Sequence, residues 1–343
     1  MTRGYKPWLM VFSYSTAHFI VDFACAFLMF GSIAGMPDWY VCVLLYNFSA
    51  FAMQMPLGAL ADAFNRNFLF AVVGCLLVAA AFGLSHLPIV AVIVAGIGNA
   101  MFHIGGGVDV LNISEEKSSA LGIFVSPGAF GIYLGTILGK ACSLHILFVL
   151  LALFSAAVLI FFSHREQGGE YPLNAEFSLK GTTSCRIRVT AACLFLVVCL
   201  RSYVGLTLYF PWKSTGFWGI ALVSAVVFGK IAGGFATDRL GLLQTSVVSL
   251  GAAAILFLFP NIPMAGISSL LLFNMTMPIT LWAMSKIFPS AKGFSFGLLT
   301  FGLFIGYVPK YLGLGIPTVP WFFALMAVAS LALLYVGMRK ARL

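Results

Sequence analysis

The chain has 343 residues, 61% of them hydrophobic and 8% charged, with a mean hydropathy of +1.04 and a formal net charge of +9. A soluble domain carries about 25% charged residues, so there is too little polar surface here to cover a water-soluble globule of this size. The lysines and arginines stand singly between apolar runs and form no basic face, which excludes a nucleic-acid surface despite the charge.

The remaining solvent is a bilayer, where backbone groups must be satisfied within helices or a closed barrel. Barrel strands alternate over segments of about ten residues. The apolar runs here are longer and do not alternate, so the expected fold is an all-α membrane protein. Cutting at charges, Pro, Gly and Asn predicts twelve spans, near 8–34, 39–61, 68–84, 88–112, 119–140, 143–163, 187–210, 215–236, 243–260, 263–287, 293–315 and 318–338. The first run is too long for a signal h-region and lacks an A-x-A site, so it is expected to stay as a span. Connections are short except 164–186. That polar stretch divides the chain into an N-terminal six-helix half (1–163), a linker and a C-terminal six-helix half (187–343), as paired repeats would be. Lysine and arginine crowd alternate ends of the spans (Arg3, Arg66, Lys117, Lys180, Arg239, Lys286 and Arg342 among them), while the opposite loops offer little beyond Lys213. This bias places both termini and the linker in the cytoplasm.

Taken in chain order, the spans carry a few costly polar groups. In the first, Ser15, His18, Asp22 and Cys25 recur at helical spacing on one face. After the second comes the turn Gly58-Ala59-Leu60-Ala61-Asp62-Ala63-Phe64-Asn65-Arg66. The fourth places Gly96, Asn99, His103 and Gly106 on one stripe, and Asp109 nearer its inner end beside Glu115 and Glu116. The fifth has Pro127-Gly128, then Gly131, Gly135 and Gly139 at four-residue intervals, a smooth face for tight crossing with a bend at the proline. The seventh contains Arg201 in Leu200-Arg201-Ser202-Tyr203. After the eighth, Gly234-Phe235-Ala236-Thr237-Asp238-Arg239-Leu240-Gly241 repeats the earlier turn half a chain away. The tenth supplies Asn274, Pro278 and Trp282. At 1.5 Å per residue Asp22 lies about 21 Å from Trp8, and Arg201 about 20 Å from Arg188, so both reach similar depth. Charges at that depth mark functional sites by default and call for a partner, so Asp22 and Arg201 are expected to pair.

The duplicated turn resembles the G-x-x-x-D-R-x-G signature of the major facilitator superfamily. That resemblance implies the superfamily's fold, with spans 1, 4, 7 and 10 lining a central cavity. It also implies a conformational latch at Gly58, Asp62, Arg66, Gly234, Asp238 and Arg239. Ala63 and Asn65 depart from the pattern, so the first copy is expected to be the weaker. Three short segments, His18-Phe19-Ile20-Val21-Asp22-Phe23, Phe102-His103 and Arg201-Ser202-Tyr203, resemble the fosmidomycin-resistance branch, though Ile104 stands where the branch has a proline after the histidine.

The site expected from these readings comprises His18, Asp22, Asn99, His103, Arg201, Asn274 and Trp282. The expected function is secondary active transport by alternating access, as proton-coupled export of a small, anionic organic compound. Ion-coupled uptake of a carboxylate, phosphate or phosphonate fits the same residues, and a non-transporting sensor is a remote alternative. No phosphate-binding loop or HExxH motif points to nucleotide-driven pumping or to a metalloprotease. The cysteines form no CxxC pair and no zinc spacing. No metal or other cofactor is therefore expected. The partners are substrate, protons and the lipid bilayer, for a monomer in a bacterial inner membrane.

Overall fold

The computed structural model describes residues 7–114, 117–166, 177–179, 184–213, 216–315 and 317–341. Most of the 164–186 linker, with Lys180, lies outside these residues, as do Arg3 and Arg342 of the charge argument and Glu115 and Glu116 beside Asp109. Among the described residues the regular structure is helical throughout. The helices are α1 (Pro7–Ile33), α2 (Trp39–Phe64), α3 (Asn67–Gly83), α4 (Pro88–Ile113), α5 (Ser118–Lys140) and α6 (Ile146–Arg165). They continue with α7 (Cys185–Thr207), α8 (Phe217–Leu240), α9 (Leu242–Phe257) and α10 (Pro263–Ile287), then α11 (Lys292–Tyr311) and α12 (Pro320–Ala341). Among the described residues nine are long and apolar enough to cross a membrane; α3 and α9 are shorter apolar helices. Each stands where a span was expected.

Local chemistry accounts for the ends and breaks. Pro88 and Pro263 open α4 and α10, where a missing N–H costs nothing. Ser184 caps α7 by accepting from the Ile187 amide at 3.3 Å. Helix α11 ends at Tyr311, four residues before the expected limit, with Gly313 following at φ 64°. Helix α5 is interrupted between Phe124 and Gly128, around Pro127, and α10 between Asn274 and Thr276, ahead of Pro278. Single π-turns occupy Met29–Ile33 of α1 and Phe48–Ala52 of α2.

The chain forms two compact units. The first comprises Met1–Glu115, Ile123–Phe177 and Ser290–Gly297; the second comprises Glu116–Gly122, Ser178–Pro289 and Leu298–Leu343. The opening residues of α5 thus belong to the second unit and those of α11 to the first. Inside the first unit α1 packs on α4, α5 and α6, while α4 also packs on α2 and α3. The second unit repeats this scheme six helices later. There α7 packs on α10 and α12, and α10 also packs on α8 and α9. Gly302 and Gly306 of α11 abut the Phe195 and Cys199 carbonyls of α7. The glycine stripe of α5 does the same to α1: a Cβ at Gly131 or Gly135 would overlap the Phe19 or Phe23 carbonyl. Large apolar side chains such as Phe12, Phe148, Phe228, Val248, Ile255 and Trp321 remain exposed, the outward face that lipid requires.

Candidate functional site

In the first unit α1 and α4 each present two polar residues one turn apart, and the four side chains meet. His18 Nε2 lies 3.1 Å from Asp22 Oδ2, and 2.9 Å from His103 Nε2. The His103 nitrogen is 3.8 Å from Asp22 Oδ1, and Asn99 Nδ2 donates to that oxygen at 2.9 Å. Asn99 also reaches Cys25 Sγ at 3.7 Å. His18, Asp22 and Asn99 are buried and His103 is nearly so. Phe102 and Phe124 pack beside the His18 ring and exclude water from it.

The outer nitrogens of the imidazoles decide what the cluster can hold. His18 Nδ1 lies 2.7 Å from the Phe124 carbonyl, and His103 Nδ1 lies 2.9 Å from the Asn99 carbonyl. A carbonyl oxygen only accepts, so each Nδ1 carries a hydrogen and each ring turns its Nε2 inward. Two Nε2 atoms facing at 2.9 Å beside a carboxylate are placed to share a proton or another cation. The Phe124 carbonyl is available because α5 breaks there. Gly128 restarts that helix directly against the cluster, and a Cβ on it would fall on His18 Nε2 and Asp22 Oδ2.

In the second unit Arg201, 8% exposed, donates to Thr280 Oγ1 at 3.3 Å. Among the described residues of that unit no carboxylate pairs with it. Asn274 donates to the Leu270 carbonyl of its own helix at 2.8 Å. The Trp282 indole N–H is buried without a hydrogen-bond partner among the described residues, and Lys286 Nζ lies 5.0 Å from its ring centre. Of the seven expected site residues, the structure brings His18, Asp22, Asn99 and His103 together. The expected pairing of Asp22 with Arg201 spans the two units and stays an expectation; Asp22 has partners inside its own. Asp109 is fully buried and accepts from the Tyr14 hydroxyl, apart from the cluster. Sequence reasoning missed Thr280, the Phe124 carbonyl and the role of Gly128. The first two announce themselves by no spacing, and Gly128 was visible only as one member of the stripe.

The duplicated turns each cap a helix. Asp62, 3% exposed, accepts the amides of Gly293 and Phe294 at the start of α11, both at 2.8 Å. Asp238 accepts the amides of Ser118 and Ser119 at the start of α5, at 2.7 and 3.1 Å, and the Ser118 hydroxyl at 3.0 Å. The motif glycines permit these approaches. A Cβ at Gly58 would overlap the Gly293 carbonyl, and one at Gly234 would stand 2.8 Å from the Ser118 carbonyl oxygen and Ser119 Cα. No ion pair is formed by Arg66 or Arg239 among the described residues.

No family model matches this chain, and no curated protein matches it. Solved structures do. A point variant of the E. coli fucose:proton symporter FucP superposes with a TM-score of 0.67 at 12% identity, over 96% of this chain and 98% of that one. A major facilitator superfamily transporter, FucP in the outward conformation, gives 0.67 at 13%, over 97% and 99%. A bacterial homologue of the iron transporter ferroportin, outward-facing, gives 0.62 at 14%, over 98% and 99%. The chain therefore has the major facilitator fold: twelve helices in two six-helix repeats.

Proposed function

We propose that this chain is a secondary active transporter of the major facilitator superfamily, which exports a small organic anion in exchange for protons by alternating access. The observation that carries the reading is Arg201. A guanidinium buried in an apolar helix with one hydroxyl for company costs several kcal/mol, and an anionic substrate offsets that cost when it binds. The His18–Asp22–His103 cluster is the companion site for the coupling proton, since two inward Nε2 atoms and a carboxylate converge there. The Asp62 and Asp238 caps act as the latch, released and remade as access alternates. Export rather than uptake follows the fosmidomycin-resistance-type segments; the same Arg201 serves either direction, and the flux assay distinguishes them.

The test is counterflow in proteoliposomes against a panel of carboxylates, phosphates, phosphonates, lipophilic cations and sugars, with internal pH recorded. Organic anions should exchange and the others should not. Arg201→Ala should lose substrate binding, whereas Asp22→Asn should still bind the anion but lose proton-driven flux. Normal coupled flux in Asp22→Asn would remove the coupling role. For topology we place both termini in the cytoplasm of a bacterial inner membrane. Two exposed native cysteines report on this: Cys185, at the start of α7, and Cys142, after α5. A membrane-impermeant maleimide applied from outside intact cells should label Cys142 and spare Cys185; the reverse pattern inverts the topology.

A further inference from the structure

We infer that the His18–Asp22–His103 cluster binds a divalent first-row transition-metal cation of the zinc or ferrous class. The inference gives the proton site proposed above a second occupant and rests on that reading only for its part in transport. The three donor atoms, two imidazole nitrogens and one carboxylate oxygen, all lie within 4.8 Å of one another. With metal–ligand bonds of about 2.0–2.2 Å, neighbouring donors stand roughly 3.0 Å apart in octahedral geometry and roughly 3.4 Å apart in tetrahedral geometry. The two Nε2 atoms stand 2.9 Å apart, and the carboxylate offers Oδ2 at 3.1 Å from His18 and Oδ1 at 3.8 Å from His103, near those values. Small side-chain movements would make all three donors equidistant from one ion.

The surroundings are those that metal-binding histidines have. Each Nδ1 hydrogen is committed to a backbone carbonyl, which fixes the tautomer and aims Nε2 inward. The Asn99 amide holds the carboxylate in place. His18 and Asp22 are one turn apart on α1, and His103 reaches them from α4, so the pair of helices preorganises the set. Gly128 leaves the side facing α5 open where any Cβ would strike the donors. Two nitrogens and one oxygen form the set of a facial triad with open positions. It suits zinc, iron, cobalt or nickel and disfavours magnesium and calcium, which take oxygen ligands. A bound ion takes the place of the shared proton between the two Nε2 atoms, and that proton leaves on binding.

The test uses the purified full chain in detergent, stripped with chelator and titrated with Co2+ as the spectroscopic probe. One equivalent should bind with a visible d–d absorption, be displaced by Zn2+ and be indifferent to excess Mg2+ or Ca2+. His103→Gln and Asp22→Asn should each weaken binding by at least about tenfold, and Gly128→Ala should do so without removing a donor. The double variant His86→Gln, His145→Gln removes two exposed imidazoles and should bind as the parent does. The wild-type chain needs no variant to fold, so absence of stoichiometric Co2+ binding by it overturns the inference. Binding that survives His103→Gln, or disappears with the exposed histidines, overturns it equally. Failure of the transport reading shows elsewhere, as anion counterflow that is absent or indifferent to Arg201→Ala, so the two can fail separately.

Discussion

Asp62 and Asp238 occupy equivalent places in the two repeats, and each receives the first amides of another helix. Asp62 is buried to 3% exposure and holds two backbone N–H groups at equal distance. Asp238 is exposed and adds a serine hydroxyl to its two amides. The copy with the poorer match to the superfamily signature is therefore the one more shielded from water. Burial strengthens a charge-assisted bond and makes its loss costlier, so against the weaker first latch expected from the pattern we propose the opposite order. The departures themselves are mild. Asn65 replaces the signature glycine in a left-handed helix end at φ 51°, ψ 45°, while Gly241 in the second copy adopts φ 85° with an extended ψ of 162°. Asparagine is among the few residues with a side chain that accept a left-handed helix end. The two turns thus differ in backbone where their sequences differ, yet both place the aspartate on the first amides of another helix.

The largest effect should come from the glycines. Gly58→Val drives a branched side chain into the Gly293 carbonyl, which has no flexible end to move aside, and should cost about 3 kcal/mol or more. Gly234→Val meets a looser contact and should cost less; thermal unfolding in detergent ranks them, and equal losses would break the comparison. Next are the aspartates. Asp62→Asn should cost about 1.5–3 kcal/mol as a buried charge-assisted acceptor, against about 0.3–1 kcal/mol for the exposed Asp238→Asn. Amide exchange should quicken at Gly293 and Phe294 in the first variant more than at Ser118 and Ser119 in the second. The reverse order would restore the reading based on pattern alone. The smallest effect belongs to the turn ends. Asn65→Gly should stay within about 1 kcal/mol of the parent, because both residues tolerate the conformation, whereas Gly241→Val should lose about 1–3 kcal/mol in a backbone region nearly reserved for glycine.

The cation cluster in the first unit and Arg201 in the second show a related division. Helical spacing alone put His18 with Asp22, and Asn99 with His103, because residues four apart share a helix face. That the two pairs face each other depends on how α1 meets α4. The α5 break that frees the Phe124 carbonyl was visible as Pro127. The carbonyl's engagement with a histidine more than a hundred residues earlier was not. Arg201 stood out by its cost in lipid, but its neighbour Thr280 is one hydroxyl among several in an apolar run.

Composition, run length and the duplicated turn were enough to determine a helical membrane protein of twelve spans in two repeats. Each of those properties is local or periodic, and a bilayer punishes every alternative that leaves backbone groups unsatisfied. The tertiary structure alone decided the rest: which repeated aspartate is buried, and where three donor atoms from two helices converge. Those outcomes depend on crossings between helices far apart in sequence. There a few ångströms, set by glycines that admit a backbone and by carbonyls released at a break, determine which polar atoms meet.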